Sequence, residues 1–212
     1  FRELGQRLAW EGFPVLSFDY YGTGDSGGEY EDGTITGWVN DTSLAIDTLK
    51  QRFGIERVFL VGLRLGATLA MMASAVRQDV GGIALWDPIV AGTDIEWEVK
   101  AIRDFQSLDM TSQRDIKNPD VLCYALTSVM MSELQLIDLC ALSFVCAPAL
   151  FVLEAEPQGG GRRFANRADE LGWRVEYRFS DEAKIWLREP YEAIVPRNNM
   201  EALVSWVSGL LA

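Results

Sequence analysis

Histidine is absent from all 212 residues. Serine–histidine and cysteine–histidine mechanisms need an imidazole that takes and returns a proton near neutral pH, so no such pair can be assembled. Histidine-bearing zinc sites are excluded with it. Cysteine is scarce as well: Cys123, Cys140 and Cys146 make neither a C-x-x-C pair nor a four-thiolate cage. An odd, sparse set points to reduced, intracellular thiols that act as small packing residues. Neither a metal nor a cofactor is expected. Basic residues are outnumbered, 19 against 31 acidic ones, for a net charge of −12. An acidic chain without a basic cluster repels phosphate backbones and anionic headgroups, which argues against nucleic acid and membrane as partners. A long apolar run is also missing. The longest uncharged stretch, Leu139 to Leu153, is interrupted by Pro148 and falls short of the ~20 residues of a spanning helix. No export signal opens the chain. The expectation is a soluble, cytoplasmic protein whose opening, without Met and already inside the helical pattern of Leu4 and Leu8, looks cut.

What the chain does contain is apolar residues, 49% of the total, on a length suited to one large domain with a substantial core. Five short runs rich in branched and aromatic residues read as strands: Phe13 to Tyr20, Arg57 to Gly62, Gly82 to Asp87, Ala149 to Glu154 and Arg174 to Phe179. Amphipathic helices are predicted over Trp38 to Phe53, Arg163 to Leu171 and Asn198 to Leu211. Leu65 to Val76 is apolar nearly all round, as expected of a helix covered on both sides. Alternating strands and helices imply a mostly parallel α/β sheet whose ligand site lies beyond the carboxyl ends of its strands. Residues 91–148 break the rhythm and read as a small helical cap insertion within a single 1–212 domain. Two helices are expected there, about Ile95 to Leu108 and Val129 to Leu139. Trp97, Phe105, Met130 and Met131 are candidates for lining an apolar acyl pocket, and equally for packing inside the insertion.

Two glycine-rich strings invite a catalytic reading. Gly24-Asp25-Ser26-Gly27-Gly28 spells the nucleophile motif of trypsin-like proteases, but it lies between a strand and a helix in a chain with no imidazole, so it reads as a loop. Nearby Asp19 and Tyr20 are candidates for lining a pocket or for tying that loop down. The second string, Val61-Gly62-Leu63-Arg64-Leu65-Gly66-Ala67, joins an apolar strand to the all-apolar helix. This is the context of a nucleophile elbow, a strained turn that holds its central residue up at the strand end. The central residue is Arg64.

Taken together, FPVLSFDYYGTGDSGG, the Trp38 helix, LVGLRLGATLA, LWDPIV and PYEAIVP resemble the α/β-hydrolase superfamily, and within it the serine aminopeptidase (S33-like) and exosortase-system-associated hydrolases. The resemblance implies a three-layer α/β-hydrolase fold seen without its first strands, and an ancestry in ester, thioester or peptide cleavage through an acyl-enzyme. It places Arg64 at the nucleophile position. The triad acid falls to Glu156 or Glu154, with Asp87 as a substitute. Tyr191 stands where the histidine is expected, and the Leu65 backbone N–H supplies half of an oxyanion hole. Arginine is neither nucleophile nor base at neutral pH, and tyrosine is a poor replacement for imidazole. The expectation is therefore a protein that binds a small acyl or carboxylate ligand, a protein partner or another copy of itself, without hydrolysis. An active hydrolase with a non-standard catalytic group and a structural subunit are the alternatives. A cation at a helix N-terminus opposes the macrodipole by about 0.3–1 kcal/mol, so Arg64 should have a partner. Asp87, Glu154 and Glu156 are candidates for an internal ion pair, and a ligand carboxylate or phosphate for an external one.

Overall fold

The computed structural model describes residues 1–95, 127–143, 147–155, 159–182 and 195–210. Four parallel strands, β1 (Val58–Leu63), β2 (Val80–Trp86), β3 (Ala149–Glu154) and β4 (Arg174–Phe179), lie side by side in chain order. Each matches a predicted run to within two residues at either end. Around them stand α1 (Arg2–Trp10), α2 (Ile35–Phe53), α3 (Leu65–Ser74), α4 (Ser128–Leu134), α5 (Gly160–Glu170) and α6 (Arg197–Gly209).

Side chains alternate across a strand, and this alternation divides the core. Ile83, Leu85, Leu150 and Val152 face α3 and α5, where they meet Ala67, Ala70, Met71, Phe164 and Ala168. Ala84, Trp86, Phe151 and Leu153 face the other way, against Leu4 and Leu8 of α1 and Leu203 and Val207 of α6. Both faces of the sheet are thus covered, the arrangement that all-parallel strands require. A third cluster joins Ile35 and Trp38 of α2 and Leu65 and Leu69 of α3 to Ile95, Met130 and Leu134 from the 91–148 region. Of the two helices expected in that region, the second forms as α4, which ends at Leu134 rather than at Leu139. The first lies, apart from Ile95, outside the described residues.

One predicted strand does not form. Residues 13–20 have no ladder partner among the described residues. The branched and aromatic residues that suggested a strand are present, but β1 pairs only with β2. An open cleft of about 770 Å³ separates the segment from β1, and Val15, Leu16 and Phe18 are left 38–41% exposed. Two helices start earlier than their apolar periodicity indicates. Thr34 caps α2 by accepting the Gly37 N–H at 2.9 Å, and α5 begins within the Gly159–Gly161 stretch because a carboxylate from β3 holds its first turn, as described below.

Candidate functional site

β1 ends at Leu63 and α3 begins at Leu65, which leaves one residue to reverse the chain. That residue, Arg64, sits at φ 53°, ψ −123°, a region L-residues occupy at a cost of about 1–3 kcal/mol. The turn is held in place. The Arg64 N–H donates to the Trp86 carbonyl at 3.0 Å, and its own carbonyl accepts from Ala67 at 3.0 Å. Gly62 is needed for this closeness, because a Cβ there would stand 2.5 Å from the Ala67 backbone. Gly66 is different: a Cβ on it would meet nothing within 4 Å, so only the first glycine of G-x-R-x-G is sterically required.

The neighbouring strand ends in a second unusual turn. Asp87, directly after β2, has φ 44° and is buried. Its carbonyl accepts a hydrogen bond from Arg64 Nη1 at 3.1 Å. Its Oδ1 accepts the Ala155 N–H at 2.7 Å, which ties β2 to the end of β3. The only two non-glycine residues with positive φ among the described residues therefore stand together, joined by a hydrogen bond, at the carboxyl edge of the sheet. That edge is where open α/β sheets bind ligands.

Glu154, the alternative acid, is engaged otherwise. Its buried carboxylate accepts the N–H groups of Gly161 and Arg162 at 2.7 and 2.8 Å, and the Tyr177 hydroxyl at 3.3 Å. It thereby caps α5 with a negative charge, as the helix dipole favours. Burial, followed by the nearby Glu154 charge, pushes the Tyr177 hydroxyl above its ordinary pKa.

The loop containing the protease-like string is a clamp. The Asp19 carboxylate accepts the Asp25 N–H at 3.0 Å and fills the space a side chain would need at Gly24, where φ is 53°. Tyr20 stacks on Trp38, whose indole N–H donates to the Tyr21 carbonyl. Asp19 is thus employed in tying the loop down. Trp86 and Met130 are buried in the core, and Met131 packs against the cluster that contains Leu65.

The structure brings Arg64, Leu65 and Asp87 together. Glu156, Tyr191, Trp97, Phe105, Cys123 and Cys146 lie outside the described residues. Cys140 is a free thiol beside the Arg163 guanidinium, whose pKa it helps to raise. Among the described residues, no group of three or more side chains is placed to hold a metal ion, and no helix is long and apolar enough to cross a membrane. Three residues escape sequence reasoning. Thr68 donates its buried hydroxyl to the Ile89 carbonyl at 2.6 Å, fixing α3 against the chain that follows β2. Glu133 of α4 accepts the Ile35 N–H and the Thr36 hydroxyl, each at 2.7 Å, so this acid docks α4 on the start of α2. Glu182 accepts the Asn198 and Asn199 N–H groups at the start of α6. No local signal marks the two acids, since their partners lie 16 to 98 residues away.

Parallel strands covered on both faces, with a strained turn between β1 and α3, define an α/β-hydrolase fold, and solved structures agree. A Pyrococcus furiosus esterase superposes with a TM-score of 0.67 at 16% identity, covering 100% of this chain and 75% of its own. Ferulic-acid-bound Est1E from Butyrivibrio proteoclasticus gives 0.66 at 14%, covering 98% and 81%. A proline iminopeptidase-related protein from Thermus thermophilus gives 0.59 at 22%, covering 99% and 84%. At these identities the likeness is one of fold. No curated protein matches the sequence. The family profile described as serine aminopeptidase, S33, matches residues 1–118, and the chain belongs to that family.

Proposed function

We propose that this chain is a non-hydrolytic member of its family, which binds a small acyl-bearing carboxylate at the elbow. The observation that carries the reading is Arg64 itself. The turn that exposes a nucleophile is kept at φ 53°, ψ −123°, yet it lifts a half-buried guanidinium to the strand end. Guanidinium stays protonated and does not attack a carbonyl, and the whole sequence offers no imidazole to activate a serine elsewhere. A planar fork of N–H donors suits a carboxylate, and the first N–H groups of α3, beginning at Leu65, add to the attraction for an anion. Neighbouring Leu65 belongs to the apolar cluster with Met130, Leu134 and Ile95, which suits an acyl chain beside the charged head. Glu156 and Tyr191 would be remnants of the acid and histidine positions, and residues 91–148 the cap over the ligand. The acidic charge accords with a protein that recruits neither nucleic acid nor an anionic membrane surface.

Titration with octanoate, followed by amide NMR, tests the reading. Leu65 and Gly66 should shift saturably, and Arg64→Gln should abolish the shift while leaving the fold intact. Unchanged shifts at millimolar octanoate, or equal shifts in the variant, contradict it. Binding of a protein partner or a second copy in place of the carboxylate would favour the structural-subunit reading.

A further inference from the structure

Strand β4 ends the sheet. It pairs with β3 on one side, in an unbroken register, and among the described residues no strand stands on the other. Successive residues of a strand direct their backbone groups alternately to its two edges. The Ser180 N–H donates to the Glu154 carbonyl of β3 at 2.9 Å, so the backbones of Arg174, Glu176 and Arg178 also serve β3, whereas Val175, Tyr177 and Phe179 turn their N–H and C=O groups outward. The side chains divide between the two faces in the same alternation. Val175 and Tyr177 pack on the cluster beneath α5, while Arg174, Glu176 and Arg178 are exposed on the opposite face. There α6 leaves β4 uncovered, since its cluster takes in residues of β1, β2 and β3 and none of β4.

Free edges are commonly guarded by lysine, proline or a bulge, and β4 has none of these. Its exposed face carries charges that alternate in sign instead, so the edge can complement itself. Backbone and charge together decide which residue of an antiparallel, two-fold pairing lies on the axis. Glu176 on the axis would face its own copy, set Arg174 against Arg178, and leave its backbone turned away. Val175 on the axis would need the Trp173 N–H, which already goes to the Ala168 carbonyl at 3.0 Å. Phe179 on the axis would set Glu176 against Glu182. Tyr177 on the axis meets every requirement. Tyr177 then faces its own copy and Val175 faces the second copy's Phe179, all at hydrogen-bonded positions. Glu176 faces the second copy's Arg178 at non-hydrogen-bonded positions, where Cα atoms approach to about 4.5 Å. Opposite charges and aromatic–branched pairs directly across strands are favourable, and Phe179, 47% exposed, gains cover from Val175. The bond that Arg178 now makes to Glu176 within its own strand, at 3.1 Å, is exchanged for its equivalent between copies, made twice by symmetry. We propose that β4 is the interface with a second copy of this chain, joined antiparallel about Tyr177 so that the two sheets become one. The pairing is independent of the ligand assigned to Arg64.

Sedimentation equilibrium of the full natural chain and of two charge reversals tests it. The natural chain should show a concentration-dependent monomer–dimer equilibrium. Glu176→Arg and Arg178→Glu should each raise the dimer dissociation constant at least ~10-fold, because like charges then face each other twice, with the far-UV circular dichroism unchanged. An equimolar mixture of the two variants should recover the natural affinity to within about threefold, since each reversed charge then meets its opposite. A reversal that acted only on the fold of its own chain would not be rescued in this way. Four results overturn the proposal: a natural chain that stays monomeric to about 1 mM, a dimer indifferent to both reversals, a dimer sensitive to only one of them, or a mixture that associates no more tightly than its separate components.

Discussion

The starts of α3 and α5 occupy equivalent places, each following a parallel strand at the same edge of the sheet, and they are built with opposite charges. At α5, the buried Glu154 carboxylate receives two backbone N–H groups. Glu133 accepts one backbone N–H and the Thr36 hydroxyl at the start of α2, and Glu182 accepts two backbone N–H groups at α6. At α3, the N-cap residue is Arg64, strained and carrying a charge the dipole disfavours. Three helix starts are held by carboxylates, and the fourth carries a strained arginine at the turn where the strand β1 ends. Strain of this kind gathers at functional sites, and here it survives without the hydroxyl that would normally use it.

If that contrast holds, substitutions at the two helix starts should have opposite signs. The largest effect is expected at Glu154. Glu154→Gln weakens charge-assisted hydrogen bonds to buried N–H groups and should lower the unfolding free energy in urea by about 1.5–3 kcal/mol. A neutral result would mean that the carboxylate cap is dispensable. Gly62→Ala drives a methyl group into the Ala67 backbone and should cost about 1–3 kcal/mol, whereas Gly66→Ala should be tolerated. Arg64→Gly should run the other way. Relief of the positive φ outweighs the entropy of the added glycine, and stability should rise by about 1 kcal/mol. A measured loss at Arg64 would show that the guanidinium stabilises the fold, and the contrast would fail.

The smallest effect lies far from the site, where Arg77 bridges Asp47 and Asp79, each at 2.6 Å, and Lys50 also pairs with Asp79. Hydrogen bonding to Arg77 holds the Asp79 carboxyl well below its ordinary pKa. Its stabilisation is therefore complete above pH ~4 and lost as pH falls toward the lower folded-state value. For so accessible a network, Asp79→Asn should cost under about 1 kcal/mol at pH 7, and less in acid. Urea midpoints across pH 3–7 would reveal a cost that instead grows in acid.

How much of this was legible in the sequence followed the range of the interactions. The two central strands, β2 and β3, announced themselves as short apolar runs because both of their faces are buried, whereas the edge strand β4, largely exposed, was legible from Val175, Tyr177 and Phe179. The elbow was legible from G-x-R-x-G between a strand and an apolar helix, and Gly62 is there for the reason the motif implies. Residues 13–20 carried the composition of a strand without forming one, because branched and aromatic residues report local preference and not whether a neighbour stands at bonding distance. Apolar periodicity placed the helix before β4 from Arg163, and only the arrival of Glu154 makes Gly160 its start. Glu133 was not legible at all. Its partners lie 97 and 98 residues earlier in the chain, and one acid among 31 carries no mark of the contact it will make.

The central claim is that a hydrolase elbow bearing a guanidinium, in a chain with no imidazole, forms no acyl-enzyme. Intact-mass spectrometry after treatment with a fluorophosphonate probe tests this most directly. The predicted result is an unmodified mass for both the natural chain and Arg64→Ser; stoichiometric addition of one probe to a serine of the natural chain would contradict the account.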